Sequence, residues 1–236
     1  MRLFCCGSWK RARRGVAVVS LLTFIAFVPG ALAFERDAAW NNTYSQGLAL
    51  YQQYCAQCHG KNGEGGLGLP LNLQSFLTIA SKDYIERSIR HGRLERGMPP
   101  LAALLKPKQI SAIANFVKSW QFEPSKAVAN GRVDGDPANG RALFNGICVG
   151  CHGLKGEGGP KTGGGHIVSS LSGFAGPALS IQGFLKSATD GYIKATLMYG
   201  RVGTPMGAYL KGTQGFVELS EQEINDIVAF IRSWER

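Results

Sequence analysis

At 236 residues the chain has room for one or two domains. Its formal charge of +10 is unevenly placed. Arg2, Lys10, Arg11, Arg13 and Arg14 fall in residues 1–33 with no acidic residue beside them, and the remainder carries 21 basic against 16 acidic side chains. So small a surplus argues against nucleic acid as a partner.

The N-terminus reads as an export signal. A basic stretch ends at Arg14, an apolar run follows from Val16 to Val28, and Pro29 and Gly30 interrupt it. Ala31-Leu32-Ala33 then sets small residues two apart before Phe34, which predicts cleavage after Ala33 and assigns residues 1–33 to a signal peptide. The alternative is an uncleaved anchor, although the run is short for a span of about 20 residues. The expected location is periplasmic or otherwise exported, with membrane attachment only if the segment is retained.

Of six cysteines, Cys5 and Cys6 lie in that segment. The other four form two pairs: Cys55-Ala56-Gln57-Cys58-His59 and Cys148-Val149-Gly150-Cys151-His152. Both read C-x-x-C-H, the attachment signature of c-type haem. On a helical turn this spacing lets both sulfurs reach one porphyrin edge. The next residue then places its imidazole under an iron that needs an axial nitrogen. One C-x-x-C alone could be half a zinc site or a redox dithiol. Zinc would require pairs 93 residues apart to converge, and a dithiol has no use for the histidine. Two haem c groups are therefore expected, with His59 and His152 as proximal iron ligands.

The halves repeat one another. Gly47 and Gly140 each stand eight residues before the first cysteine, with Leu50-Tyr51 matching Leu143-Phe144. Glycine-rich runs follow both motifs, at Gly60–Gly66 and Gly153–Gly159, and read as loops close to a porphyrin edge. At an offset of 108, Gln74 to Leu77 matches Gln182 to Leu185, Tyr84-Ile85 matches Tyr192-Ile193, Gly92-Arg93 matches Gly200-Arg201, and Met98 falls on Met206. At an offset of 114, Ile110, Ile113, Phe116, Val117 and Trp120 match Ile224, Ile227, Phe230, Ile231 and Trp234, the spacing of an amphipathic helix. Helices are expected over 111–120 and 221–234, with their aromatic residues in packing roles.

Each half thus supplies two cysteines, a histidine and, in a Gly/Pro-bearing loop, one methionine. Met98 in Gly97-Met98-Pro99 and Met206 in Pro205-Met206-Gly207 are the candidate sixth iron ligands. Neutral thioether ligation raises the potential of a haem. Met198 is a rival without a counterpart, since it aligns with Arg90. His91 aligns with Tyr199, and His166 lies in an insertion at about 160–174 found only in the second half.

These motifs resemble the class I cytochromes c in tandem, dihaem form, from about Gly47 to Trp234. The resemblance implies an all-α fold, with a few helices wrapped round each covalently bound haem c. It also implies a proline carbonyl holding each proximal ring, with Pro70 and Pro177 as candidates. The expected layout is domain 1 at 38–122, an irregular linker at 123–137 and domain 2 at 138–236. Each domain is small enough to need its haem as a staple.

His/Met ligation fills both axial positions and leaves none open to substrate. The favoured expectation is single-electron transfer between redox partner proteins in the periplasm. The alternatives are a haem subunit of a dehydrogenase or respiratory complex, or a dihaem oxidoreductase with one open site. Lys82, Arg87, Arg90, Arg93, Arg96, Lys106 and Lys108 cluster around Met98 and suggest an acidic partner at domain 1.

Overall fold

The computed structural model describes residues 30–129, 131–159, 176–213, 215 and 217–236, with side chains from residue 42 onward. Most of the expected export segment, and His166 with its insertion, lie outside the described residues. Among the described residues the regular structure is helical, with two isolated bridges, Arg93 with Met98 and Leu210 with Leu219. No helix among them is long and apolar enough to cross a membrane.

The first half comprises α1 (Gly30–Tyr54), α2 (Ala56–His59), α3 (Gln74–Leu77), α4 (Lys82–His91), a 3-10 turn (Leu94–Arg96) and α5 (Pro107–Lys118). The second repeats it with α6 (Pro137–Ile147), α7 (Val149–His152), α8 (Gln182–Leu185), α9 (Asp190–Tyr199) and α10 (Glu221–Arg232). Ser81 and Thr189 cap α4 and α9 by accepting from Tyr84 N and Tyr192 N. Ser220 and Glu223 form a capping box on α10. The last helix of domain 1 starts four residues before the expected Ser111. Pro107 suits the first helical position, and Gln109 Oε1 accepts from Lys106 N at 2.9 Å. Both closing helices stop two residues short of their tryptophans, which sit in the turn that follows.

In each half the first helix crosses the last, and the matched glycines mark the crossing. A Cβ on Gly47 would collide with Ala112 O, and one on Gly140 with Asp226 O. Around each crossing the aromatics interlock. Tyr51, Phe116 and Trp120 have ring centroids 5.0–5.3 Å apart, and Phe144, Phe230 and Trp234 4.8–5.4 Å apart. Gln74 and Gln182 each donate to the carbonyl of the tryptophan in their own half at 2.9 Å. Lys118 donates to the carbonyls of Leu77 and Ala80, and Arg232 to the equivalent Leu185 and Ala188.

Between α5 and α6 the described residues form no helix but are pinned at both ends. Lys126 N donates to Thr78 O and Val133 N to Asp190 Oδ2, each at 2.9 Å. The halves also touch directly through equivalent residues. Tyr84 stacks on Tyr192 with centroids 3.9 Å apart and planes 19° from parallel. Arg93 Nη1 donates to Gly183 O at 2.7 Å, and its counterpart Arg201 Nη1 donates to Ser75 O, the counterpart of Gly183, at 3.2 Å. This reciprocity is the signature of a pseudo-twofold axis through the tyrosine pair.

The contacts bear on the cations expected to face an acidic partner at domain 1. Arg87 donates to Ser187 O, Arg93 to Gly183 O and Arg96 to Gly159 O, so three of the seven cations reach into domain 2. On α4 itself, the four-residue spacing pairs Lys82 with Glu86, Arg87 with Asp83 and Arg90 with Glu86.

Candidate haem sites

Each C-x-x-C-H motif forms one helical turn. His59 N and Cys58 N both donate to Cys55 O, at 2.9 and 3.1 Å; His152 N and Cys151 N both donate to Cys148 O, at 2.9 and 3.2 Å. The turn brings the two sulfurs and the imidazole of each motif onto one short element. Burial, with the neighbouring Cys58 or Cys151 adding to it, pushes the Cys55 and Cys148 thiols up to about 12. Such thiols lack the lowered pKa of a reactive dithiol. Among the described residues no three His, Cys, Asp or Glu side chains gather to hold a metal ion, so the two pairs do not converge as a zinc site would require.

Both imidazoles are clamped in the same way. His59 Nδ1 bonds Leu69 O at 2.8 Å and His152 Nδ1 bonds Pro177 O at 2.9 Å. A carbonyl accepts only from N–H, so Nδ1 carries the proton and Nε2 is the ring nitrogen left to bind iron. Burial lowers the pKa of both rings, against an opposing effect of these carbonyls, and so favours the neutral form a ligand requires. The Pro177 carbonyl serves as expected; in domain 1 the acceptor is Leu69, not Pro70. The reason is register. Gly68 and Gly176 lie flat against their rings, where any Cβ would strike the imidazole, and the next residue turns its carbonyl to Nδ1. At the 108-residue offset Leu69 matches Pro177, whereas Pro70 matches Ala178.

The glycine-rich loops close the proximal side. Gly65 N and Gly158 N donate to the carbonyls of His59 and His152, and Gly68 N and Gly176 N to those of Cys58 and Cys151. Gly66 N donates to Gly68 O and Gly159 N to Gly176 O, so the second-half insertion leaves and re-enters where domain 1 has the single exposed residue Leu67. The described residues on either side of the insertion keep the ring clamp seen in domain 1.

The methionine loops are tied at their bases. Arg93 N donates to Met98 O and Arg201 N to Met206 O, both at 2.7 Å. Gly97, at φ 84°, makes the left-handed turn that brings Met98 back toward Arg93. Leu101 N and Tyr209 N then donate to Ile89 O and Leu197 O, fastening each loop to the preceding helix. Met98 and Met206 are half-buried, and Met206 packs against the core. The rival Met198, within α9, is likewise half-buried and packed against the core, and His91 is exposed. The pattern of the sequence did not mark Tyr209. It takes the place of Leu101 near Cys148 and Cys151, and the repeat alignment would have singled it out.

These donors fit haem c: two sulfurs and an oriented imidazole on one turn, glycine beside the ring, and a tethered thioether. The comparisons agree. The family described as cytochrome c oxidase, cbb3-type, subunit III matches residues 42–117, and the cytochrome c family matches residues 137–235. A cbb3-type cytochrome c oxidase subunit FixP from Sinorhizobium medicae is 28% identical over 171 residues, covering 69% of this chain and 56% of its own length. Subunit CcoP from Rubrivivax gelatinosus is 32% identical over 53% of this chain and 39% of its own length. Subunit CcoP from Rhodobacter capsulatus is 25% identical over 92% of this chain and 68% of its own length. The chain thus spans about half the length of the first two relatives. A chain of the Kuenenia stuttgartiensis reducing HAO-like protein complex shares the fold at TM-score 0.51 and 21% identity, over 81% of this chain and 96% of that one. The chain carries two all-α cytochrome c-type domains in tandem, each the bearer of one covalently bound haem c.

Proposed function

We propose that this chain is the electron-transferring, haem-bearing subunit of a respiratory oxidase, exported so that both haem domains work outside the cytoplasm. The supporting observation is similarity to subunits named as components of cbb3-type oxidases, running through both domains and over 92% of the chain. This displaces the free periplasmic carrier that the sequence alone favoured. When bound, haem c supplies the one-electron ferrous–ferric couple. Cys55 and Cys58 hold one group by thioether bonds, and Cys148 and Cys151 the other. His59 and His152 would hold the iron through Nε2, and Met98 and Met206 through sulfur. Holding each iron by a ring nitrogen and a thioether sulfur, these residues would neither bind substrate nor move its protons. Their work would be to hold the iron, with the imidazole tautomer fixed through Leu69 O and Pro177 O. Oxygen chemistry then belongs to other subunits.

The test is to solubilise membranes in mild detergent and separate native complexes, staining one lane for haem and one for oxidase activity. The chain is expected to co-migrate with activity and to be required for it. Recovery only as a soluble monomer, with oxidase activity unchanged in its absence, would overturn the proposal. A redox titration of the purified protein tests the ligands. Two haems with the weak near-infrared band of ferric methionine ligation, both inert to carbon monoxide, are expected. One haem lacking the band and binding carbon monoxide would point to an open site and an oxidoreductase.

A further inference from the structure

Arg93 and Arg201 each do two things at once. Through the backbone, each closes the methionine loop of its own domain, N–H to the methionine carbonyl at 2.7 Å. Through the side chain, each crosses the pseudo-twofold axis. Arg93 Nη1 reaches Gly183 O at 2.7 Å and Ser187 Oγ at 3.3 Å, and Arg201 Nη1 reaches Ser75 O at 3.2 Å. On the near side, Arg93 Nη2 bonds Ser88 Oγ and Arg201 Nη2 bonds the matching Thr196 Oγ1, at 3.2 and 2.8 Å. The rings at the interface add to the grip, with Arg93 5.7 Å from the centroid of Phe184 and Arg201 6.0 Å from that of Phe76. Neither guanidinium has a carboxylate partner among the described ion pairs, so the charge is held by carbonyls, hydroxyls and ring faces. A planar fork can satisfy so many acceptors at once where a lysine cannot.

We propose that Arg93 and Arg201 are positioning residues that brace each methionine loop against the opposite domain, so that axial ligation in one domain depends on contact with the other. The inference rests on Met98 and Met206 being the sixth ligands. Its mechanism is geometric. The loop that offers Met98 begins at Gly92-Arg93, and Gly92 O lies against Gly183 of domain 2 closely enough that a Cβ there would collide with it. A displacement of domain 2 therefore acts on the base of the Met98 loop directly.

The decisive variant is Gly183→Ala, in the full-length holoprotein. It lies in domain 2 and alters no residue of domain 1. The equivalent position in domain 1 is Ser75, so this local helix accepts a side chain and domain 2 keeps its fold. The reading is one-dimensional proton NMR of the reduced protein, in which each iron-bound methionine gives its own strongly upfield methyl signal. Imidazole is titrated against the oxidised protein to measure displacement of each sulfur. Loss of the brace, worth about two hydrogen bonds, should lower the imidazole concentration that displaces Met98 by about tenfold and leave Met206 nearer its wild-type value. Arg93→Lys should weaken Met98 in the same direction. Arg201→Ala should weaken Met206. Gly183→Ala with both methionines displaced at wild-type concentrations overturns the brace while leaving methionine ligation intact. Wild-type protein without the two methyl signals overturns the ligand assignment itself, and the brace with it.

Discussion

Two glycines in α6 should respond to the same substitution with opposite signs. Gly140 and Gly146 are both helical, and alanine in a helix interior is favoured over glycine by about 0.5–1 kcal/mol through lower chain entropy. At Gly146 nothing lies within 4 Å of an added Cβ, and the matching residue of domain 1, Gln53, already carries a side chain. Gly146→Ala should therefore raise stability by about 0.5–1 kcal/mol. At Gly140 the new methyl meets the backbone carbonyl of Asp226, which cannot rotate aside, so α6 and α10 must separate. Overpacking of this kind costs about 1–3 kcal/mol, occasionally more, which exceeds the helical gain. The separation would also stretch the bond from Asn139 Nδ2 to Asp226 Oδ2 at 2.7 Å. Net destabilisation of about 1–2 kcal/mol or more is expected, lowering the unfolding temperature by about 4–8 °C per kcal/mol in a domain of about 100 residues. Thermal unfolding of the holoprotein followed by helical circular dichroism reads both variants. Equal shifts at Gly140 and Gly146 would refute helix crossing as the reason for the matched glycines.

Three further outcomes can be measured. Asp226 is buried; burial raises its pKa, but bonds from Asn139, Asp136 N and Gln222 outweigh this and hold it below the ordinary 3.8. A depressed native pKa contributes stability above the unfolded value and loses it as pH falls through the native one, so Asp226→Asn should flatten the acid limb of stability below pH 3.8 in denaturant titrations. A limb of unchanged slope would remove Asp226 from the acid response. Tyr51 donates its hydroxyl to Gly60 O at 2.7 Å, whereas domain 2 has Phe144 at the equivalent position. Tyr51→Phe should cost about 0.5–1.5 kcal/mol in urea unfolding, and a loss near zero would show the bond to be idle. Removing the haem-attaching thiols of one domain, Cys55→Ala with Cys58→Ala, should leave one haem per chain by pyridine haemochrome assay and lower the helical circular dichroism of that domain. Retention of full helicity would show that the polypeptide does not need the group as core.

The haem chemistry was legible because covalent attachment forces residue types into a fixed spacing, and the chain repeats that spacing twice. The crossing glycines were visible for the same reason: each backbone contact admits one residue type in both halves. The partner of His59 was misread because a carbonyl belongs to any residue. Proline at position 70 drew attention, while the register of Gly68 against Gly176 placed Leu69 there. The arginine cluster shows another limit. A run of cations specifies charge but not the direction each side chain takes. Arg87, Arg93 and Arg96 turn to carbonyls of the second half, which no local pattern encodes. The identity of the interface was nonetheless latent in the repeat, since Tyr84 and Tyr192, like Arg93 and Arg201, occupy matching positions.

That match has a consequence for how such a molecule can arise. A tyrosine that stacks on its own counterpart, flanked by arginines that exchange equivalent acceptors, is the contact two copies of a single-haem protein would make as a homodimer. Such a surface is complete before any second, different surface has to be invented. Duplicating the gene and joining the copies through residues 123–137 preserves the interface and removes its dependence on concentration. The two copies are then free to diverge, as Gly183 from Ser75, Tyr209 from Leu101 and the insertion at about 160–174 record.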